Sequence, residues 1–271
     1  GSEMCIRDRT ITGSISLLGG DDVVSNRGSI TGDVDLGTGN DSFVWWLTSH
    51  GGVTNGQSGT ITAGEGTDSL LLGVDAGQSV TLTNRNDVLN PTGAPTGFEA
   101  VGKAGDGELI WDFTNPLNTE GLRVLGGRLV LQSQVNANLT ANAGSGLVQI
   151  DSAGSVLDNR SILTAGDRLE MRADRTTLIN SGTITVGINV AGSITGDAGA
   201  QVIENSGRIE AAVNLGGGAD LYTLMQAGTQ IGAVDGGTGT DIFRFDVTGQ
   251  RSFAGADVLN FETIRQTCLL Y

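Results

Sequence analysis

The chain has 271 residues, with 44 glycines, 3 prolines, 4% aromatic and 17% charged residues, and 30 acidic against 15 basic side chains for a net charge of −15. Glycine this frequent without a three-residue period excludes collagen, and 38% apolar residues is too many for a disordered chain. Lys103 is the sole lysine and no basic cluster exists to neutralise phosphates, which argues against nucleic acid as a partner; the acidic surplus suits a soluble exported protein and attracts divalent cations.

At the N-terminus, Ser2 to Arg9 departs from the pattern of the rest of the chain. So does Cys268-Leu269-Leu270-Tyr271 at the other end. Residues 1–9 and 268–271 read as translated adapter sequence and are set apart from the fold, as a tag would be. The remaining 10–267 contain no cysteine, which suits export without disulfides. No signal peptide and no apolar run long enough to span a membrane is visible.

The first element is Ile11-Thr12-Gly13-Ser14-Ile15-Ser16-Leu17, which repeats as Ile30-Thr31-Gly32-Asp33-Val34-Asp35-Leu36. Apolar residues alternate with small or polar ones, the period of a half-buried strand. Gly20-Asp21-Asp22 and Gly39-Asn40-Asp41 close the two units as turns. Asn26 to Phe43 then aligns without gaps on Asn205 to Tyr222, with eight identities in eighteen positions. Each copy continues to a further turn, ending at Asp68 or Asp241, and to a landmark, Phe98-Glu99-Ala100-Val101 or Phe261-Glu262-Thr263-Ile264. The copies span about 26–103 and 205–266. Between them, Gly121 to Leu131 reads as two short strands around a Gly-Gly turn, and an Asn-containing element recurs at Asn159, Asn180 and Asn205.

A spacing of about 20–25 residues is that of one coil of a parallel β-helix, with inward Ile, Val and Leu packed on the coils above and below. An Asn at each turn can hydrogen-bond the next Asn in the stack. The expected fold is all-β: a right-handed parallel β-helix (β-solenoid) of about a dozen coils, a fragment of a longer protein, with 10–267 as one continuous solenoid. At about 4.8 Å per coil the rod would be roughly 60 Å long. Thr48 to Ser58 and Asn90 to Thr96 read as insertions.

At these residues the chain resembles the passenger region of large Gram-negative autotransporters. The Asn-x-Gly-x-Ile, Leu-Gly-x-Gly-x-Asp and Phe-Glu-x-Ile/Val elements match what their strand repeats would show, and Leu117 to Leu131 looks like an autotransporter-associated strand repeat. The resemblance implies an extracellular or cell-surface module, exported across the outer membrane and continuous with a barrel not visible here. It further implies adhesive contact with host or neighbouring-cell ligands, glycans among them.

Gly236-Gly237-Thr238-Gly239-Thr240-Asp241-Ile242-Phe243-Arg244 also resembles the calcium nonapeptide of repeats-in-toxin proteins, and partial matches end at Asp22, Asp41, Asp68 and Asp220. These five aspartates are the candidate metal residues. The departure is that the turns lie a whole coil apart rather than in tandem, so a glycine-rich turn capped by Asp, with no cofactor, stands beside calcium as a reading.

Catalysis is not expected. His50 is the one histidine and has no matched nucleophile. Asp21 and Asp22 are adjacent and would point to opposite faces of a strand rather than converge on a substrate. Of Trp45 and Trp46, one is expected to pack inward and the other outward, where core or edge packing competes with stacking on a sugar. Asn138-Leu139-Thr140 and Asn40-Asp41-Ser42 match the N-glycosylation pattern, which a bacterial setting argues against. The sequence supports three readings: an adhesive structural passenger first, a calcium-dependent β-roll relative second, and a β-helical carbohydrate-active enzyme third. The third would require carboxylates or an Arg cluster converging on one lateral face.

Overall fold

A computed structural model describes residues 3–6, 10–47, 59–82, 96–113, 117–133, 138–141, 147–187, 193–246 and 258–267. Their regular secondary structure is all strand, and successive coils pair in parallel. The chain is a β-solenoid of three main sheets, with 12 strands in the first, 9 in the second and 6 in the third. The first sheet runs from Glu3–Ile6 to Val258–Leu259, so a single sheet threads all the coils. His50, the insertion at 48–58 and most of 90–96 lie outside the described residues.

Alternation produces this architecture. In Thr176–Asn180 and Gln201–Asn205, every second residue is buried. Because pairing is in register, inward residues form continuous columns. In the second sheet, Leu109, Leu129, Leu157, Leu178, Ile203, Tyr222 and Phe243 stack one per coil, all fully buried. Full burial of such a side chain contributes about 1.5–3 kcal/mol, so the columns carry most of the stability. At the C-terminal end the leucines give way to rings, with Tyr222 stacked on Phe243 at 5.1 Å and Phe261 edge-on to it at 5.3 Å.

Gly121–Leu125 and Arg128–Ser133 are two strands around the turn at Gly126 and Gly127, as expected, but they are not a hairpin. They belong to the first and second sheets, so the turn is a corner of the coil. The strands that follow the aspartates in the two repeat copies also lie in different sheets. The strands after Asp22, Asp41 and Asp68 lie in the first sheet, whereas those after Asp220 and Asp241 lie in the second. The second sheet begins only at Ser79–Leu82, and the coils that add it advance the motif by one face.

Glu3–Ile6, expected to stand apart from the fold, pairs with Val23–Asn26 as the first rung. The open edge of a parallel stack offers unpaired backbone groups and accepts a strand through main-chain bonds, whatever its side chains.

Asn159, Asn180 and Asn205 form the expected internal ladder. The Asn159 amide donates to Asn180 Oδ1 at 2.9 Å, and Asn180 to Asn205 Oδ1 at 3.0 Å, with all three side chains fully buried. Lys103 was not expected inside. It occupies an inward position between Leu72 and Val124, where Nζ donates to the carbonyls of Ala104, Gly105 and Gly126 at the corner. Burial pushes its ammonium down to about 8.

Candidate functional site

The five candidate aspartates fall into two columns, one for each repeat copy. In the first, Asp22 N–H donates to Asp41 Oδ1, Asp41 N–H to Asp68 Oδ1 and Asp68 N–H to Glu99 Oε2, each at 2.7 Å. In the second, Gln201 N–H donates to Asp220 Oδ1 at 2.7 Å, Asp220 N–H to Asp241 Oδ1 at 2.8 Å and Asp241 N–H to Glu262 Oε2 at 2.6 Å. Each column is a carboxylate ladder in which one coil's side chain satisfies the backbone of the coil before it. The Glu of the Phe-Glu landmark ends both ladders.

The local sequence forces this geometry. The strand begins immediately after each Asp, so in-register pairing places successive aspartates one above another. The glycines of the turn are equally constrained. A Cβ on Gly64 would lie 1.7 Å from the carbonyl oxygen of Gly37, and one on Gly239 would lie 1.7 Å from that of Gly218. Each coil's turn lies flat on the turn before it and leaves no room for a side chain.

The role of Glu99 and Glu262 was missed at the level of sequence, although a signal was present. Glu99-Ala100-Val101 stands in the pattern of Asp41-Ser42-Phe43 and Asp68-Ser69-Leu70, an acid directly before a strand. Glu reaches the same N–H with one methylene more.

All five aspartates are fully buried, and the second oxygens, Oδ2 of Asp41, Asp68, Asp220 and Asp241, have no hydrogen-bond partner. Burial pushes the Asp41, Asp68 and Asp241 carboxyls above their ordinary range, against the lowering effect of the N–H each accepts. Asp220 is pushed up to about 7 by burial, with Asp241 and Asp197 adding like charge. Such a column can hold protons or a cation. Among the described residues, no three His, Cys, Asp or Glu side chains group as a metal centre.

Asp21 belongs to a neighbouring ladder of opposite polarity. Its Oδ1 accepts the N–H of Asn40 at 2.8 Å, and Asn40 Oδ1 accepts that of Thr67 at 2.9 Å. Adjacent acids thus serve different stacks, although both stand in the turn before the strand Val23–Asn26 rather than within it. Asn40 is committed to this bond, while the side chain of Asn138 lies outside the described residues.

Trp45 packs inward and is fully buried, edge-on to Phe43 at 6.2 Å. Trp46 points outward but lies flat on the sheet. A Cβ on Gly73 or Gly105 would strike its ring, its indole N–H donates to Ser25 Oγ at 2.9 Å, and the Arg27 guanidinium covers it 3.4 Å from the ring centroid. Arg27 is anchored to Asp75 at 2.7 Å. The outward ring is therefore packing, as the simpler expectation had it.

A cleft of ≈ 210 Å³ opens on the outer face of the first sheet, lined by Thr67, Ser69, Glu99, Ala100, Glu120, Gly121, Arg123, Leu147 and Gln149. Arg123 lies across the rungs, bonded through Nε and Nη2 to Asp151 Oδ2 at 3.2 and 3.0 Å and through Nη1 to Ser69 Oγ at 3.3 Å. Gln149 donates to Glu170 at 3.1 Å. These residues come from four coils and share no contiguous motif, so no linear pattern reveals them.

The chain matches no family model, no curated protein and no solved structure.

Proposed function

We propose that the chain is a structural and adhesive solenoid module, secreted or displayed at the surface of a Gram-negative cell, whose partners are ligands on host or neighbouring cells. One observation supports the reading most. The residues that would carry chemistry in the turns, Asp41, Asp68, Glu99, Asn180, Asp220, Asp241 and Glu262, each bond the backbone or side chain of an adjacent coil. The repeated motif thereby builds length, and the outward positions are left to vary and bind. The full chain joined to an outer-membrane barrel in a Gram-negative host is expected to become accessible to external protease and to raise cell adherence or aggregation. Adherence no higher than that of the barrel alone, with the rod on the surface, would sink the reading.

Calcium is the second reading, favoured by the buried Oδ2 atoms without hydrogen-bond partners on Asp41, Asp68, Asp220 and Asp241. A divalent cation between successive carboxylates would supply the missing partner and relieve their repulsion. On this reading millimolar calcium raises the melting temperature followed by circular dichroism at pH 8 and does less as the pH falls below about 7, where Asp220 takes up a proton instead. A melting temperature unmoved by calcium at pH 8 eliminates it.

A further inference from the structure

From the lateral cleft we infer that the rod holds one neutral, hydroxyl-rich sugar ring of a longer glycan between Glu120, Arg123 and Gln149. This rests on the adhesive reading and names its ligand class.

The room in the cleft comes from small residues on successive rungs. Ser69, Ala100 and Gly121 pair in register, and a Cβ at Gly121 would already lie 3.2 Å from that of Ala100. Leu147 on the next rung closes that side with an apolar wall. A depression with one apolar wall and a polar rim suits a pyranose ring, which presents C–H groups on its faces and hydroxyls at its edge. At ≈ 210 Å³ it is smaller than the roughly 300–1,000 Å³ of pockets that enclose a drug-sized molecule. The volume is that of a subsite for one ring, open to solvent so that the rest of a chain can continue.

The polar groups are the kind that grip adjacent hydroxyls. Carboxylate, amide and guanidinium are planar and present two atoms in one plane, which matches a pair of neighbouring oxygens. Arg123 is held in place by Asp151 and Ser69, and Gln149 by Glu170, so less side-chain freedom is lost on binding.

Charge sets the class of sugar. Asp151 neutralises Arg123, with Arg172 a second cation 3.6 Å from Asp151, while Glu99 and Glu120 leave the mouth acidic. A sialic acid, uronic acid or phosphate would meet like charge without a free cation to answer it. A neutral hexose or N-acetylhexosamine meets no such penalty.

The test is calorimetric or NMR titration of the full chain with neutral hexose and N-acetylhexosamine oligosaccharides, against sialylated chains and inorganic phosphate. At least one neutral oligosaccharide is expected to bind, with sialylated chains and phosphate weaker. Glu120 is exposed and Gln149 points outward, so E120A and Q149A should melt with the parent while each lowers affinity about ten-fold or more. Binding that is unchanged in both variants overturns the proposal, as does a preference for sialylated chains or silence across the neutral panel. If displayed rods adhere while the neutral panel is silent, the cleft is overturned and the adhesive reading stands. If neutral chains bind and displayed rods do not adhere, the adhesive reading falls and the cleft stands.

Discussion

Replacing Asn180 by alanine is expected to lower the stability of the rod by about 3 kcal/mol, read as a shift of the urea midpoint. Asn180 is the middle rung of its ladder. Its Oδ1 accepts from Asn159, and its Nδ2 donates both to Asn205 Oδ1 and to the Arg208 carbonyl at 3.1 Å. Truncation leaves polar groups of two neighbouring coils without those partners in an interior that water does not reach. Each such group costs about 1–3 kcal/mol, and both partners keep other bonds that soften the total. Asn159 still donates to the Ser161 and Thr183 carbonyls, and Asn205 to Thr229. Ser181→Ala, one residue along and exposed, is the control and should move the midpoint by less than about 0.5 kcal/mol. Asn180→Asp should be worse than alanine at pH 7, since it buries a charge, and should recover as the pH falls. A midpoint for Asn180→Ala within that of the control would mean that the ladder only marks the coil and does not hold it.

The contrast between Asn180 and Lys103 shows how far the sequence could be read. Asn180 recurs at coil spacing with Asn159 and Asn205, so its neighbours in space are its neighbours in the repeat, and both the strand and the ladder follow from periodicity. The same holds for the inward Leu and Ile columns and for the Gly-x-Gly-x-Asp turns. Lys103 occurs once. Its inward position is set by the parity of Val101 two residues before it, and its acceptors by a corner two strands long, neither of which a hydropathy pattern signals. The aspartates lie between these cases. Their stacking was legible, but the partner of each carboxylate is a backbone N–H in another coil, which a side-chain motif does not display. The cleft was not legible at all, because what makes it is the small size of Ala100 and Gly121 beside residues from separate coils.

The largest effect of pH should come from Asp220. Its carboxyl is ordinary in the unfolded chain, near 3.8, and is pushed up to about 7 in the rod, chiefly by burial. Between those values the native state holds a proton that the unfolded chain has released, so stability is complete below about pH 4 and is lost as the pH rises through about 7. The slope is at most about 1.4 kcal/mol per pH unit for one group. Asp41, Asp68 and Asp241, also raised by burial, act in the same direction. Asp33 acts oppositely: the N–H and hydroxyl of Thr60 lower its carboxyl, so its contribution is lost as the pH falls. The melting temperature is therefore expected to drop between pH 5 and pH 8. Asp220→Asn should flatten that drop and melt above the parent at pH 8, because the amide oxygen can still accept the Gln201 N–H while the buried charge is gone. Asp220→Ala should melt below the parent near pH 5, because it removes the acceptor and leaves that N–H without it. Parallel pH profiles for the parent and Asp220→Asn would show that this carboxyl titrates normally. The same pair separates the two occupants of the ladder. If calcium takes the proton's place, it lifts the parent at pH 8 and leaves Asp220→Asn less affected, whereas an equal lift in both would place the ion elsewhere on this acidic surface.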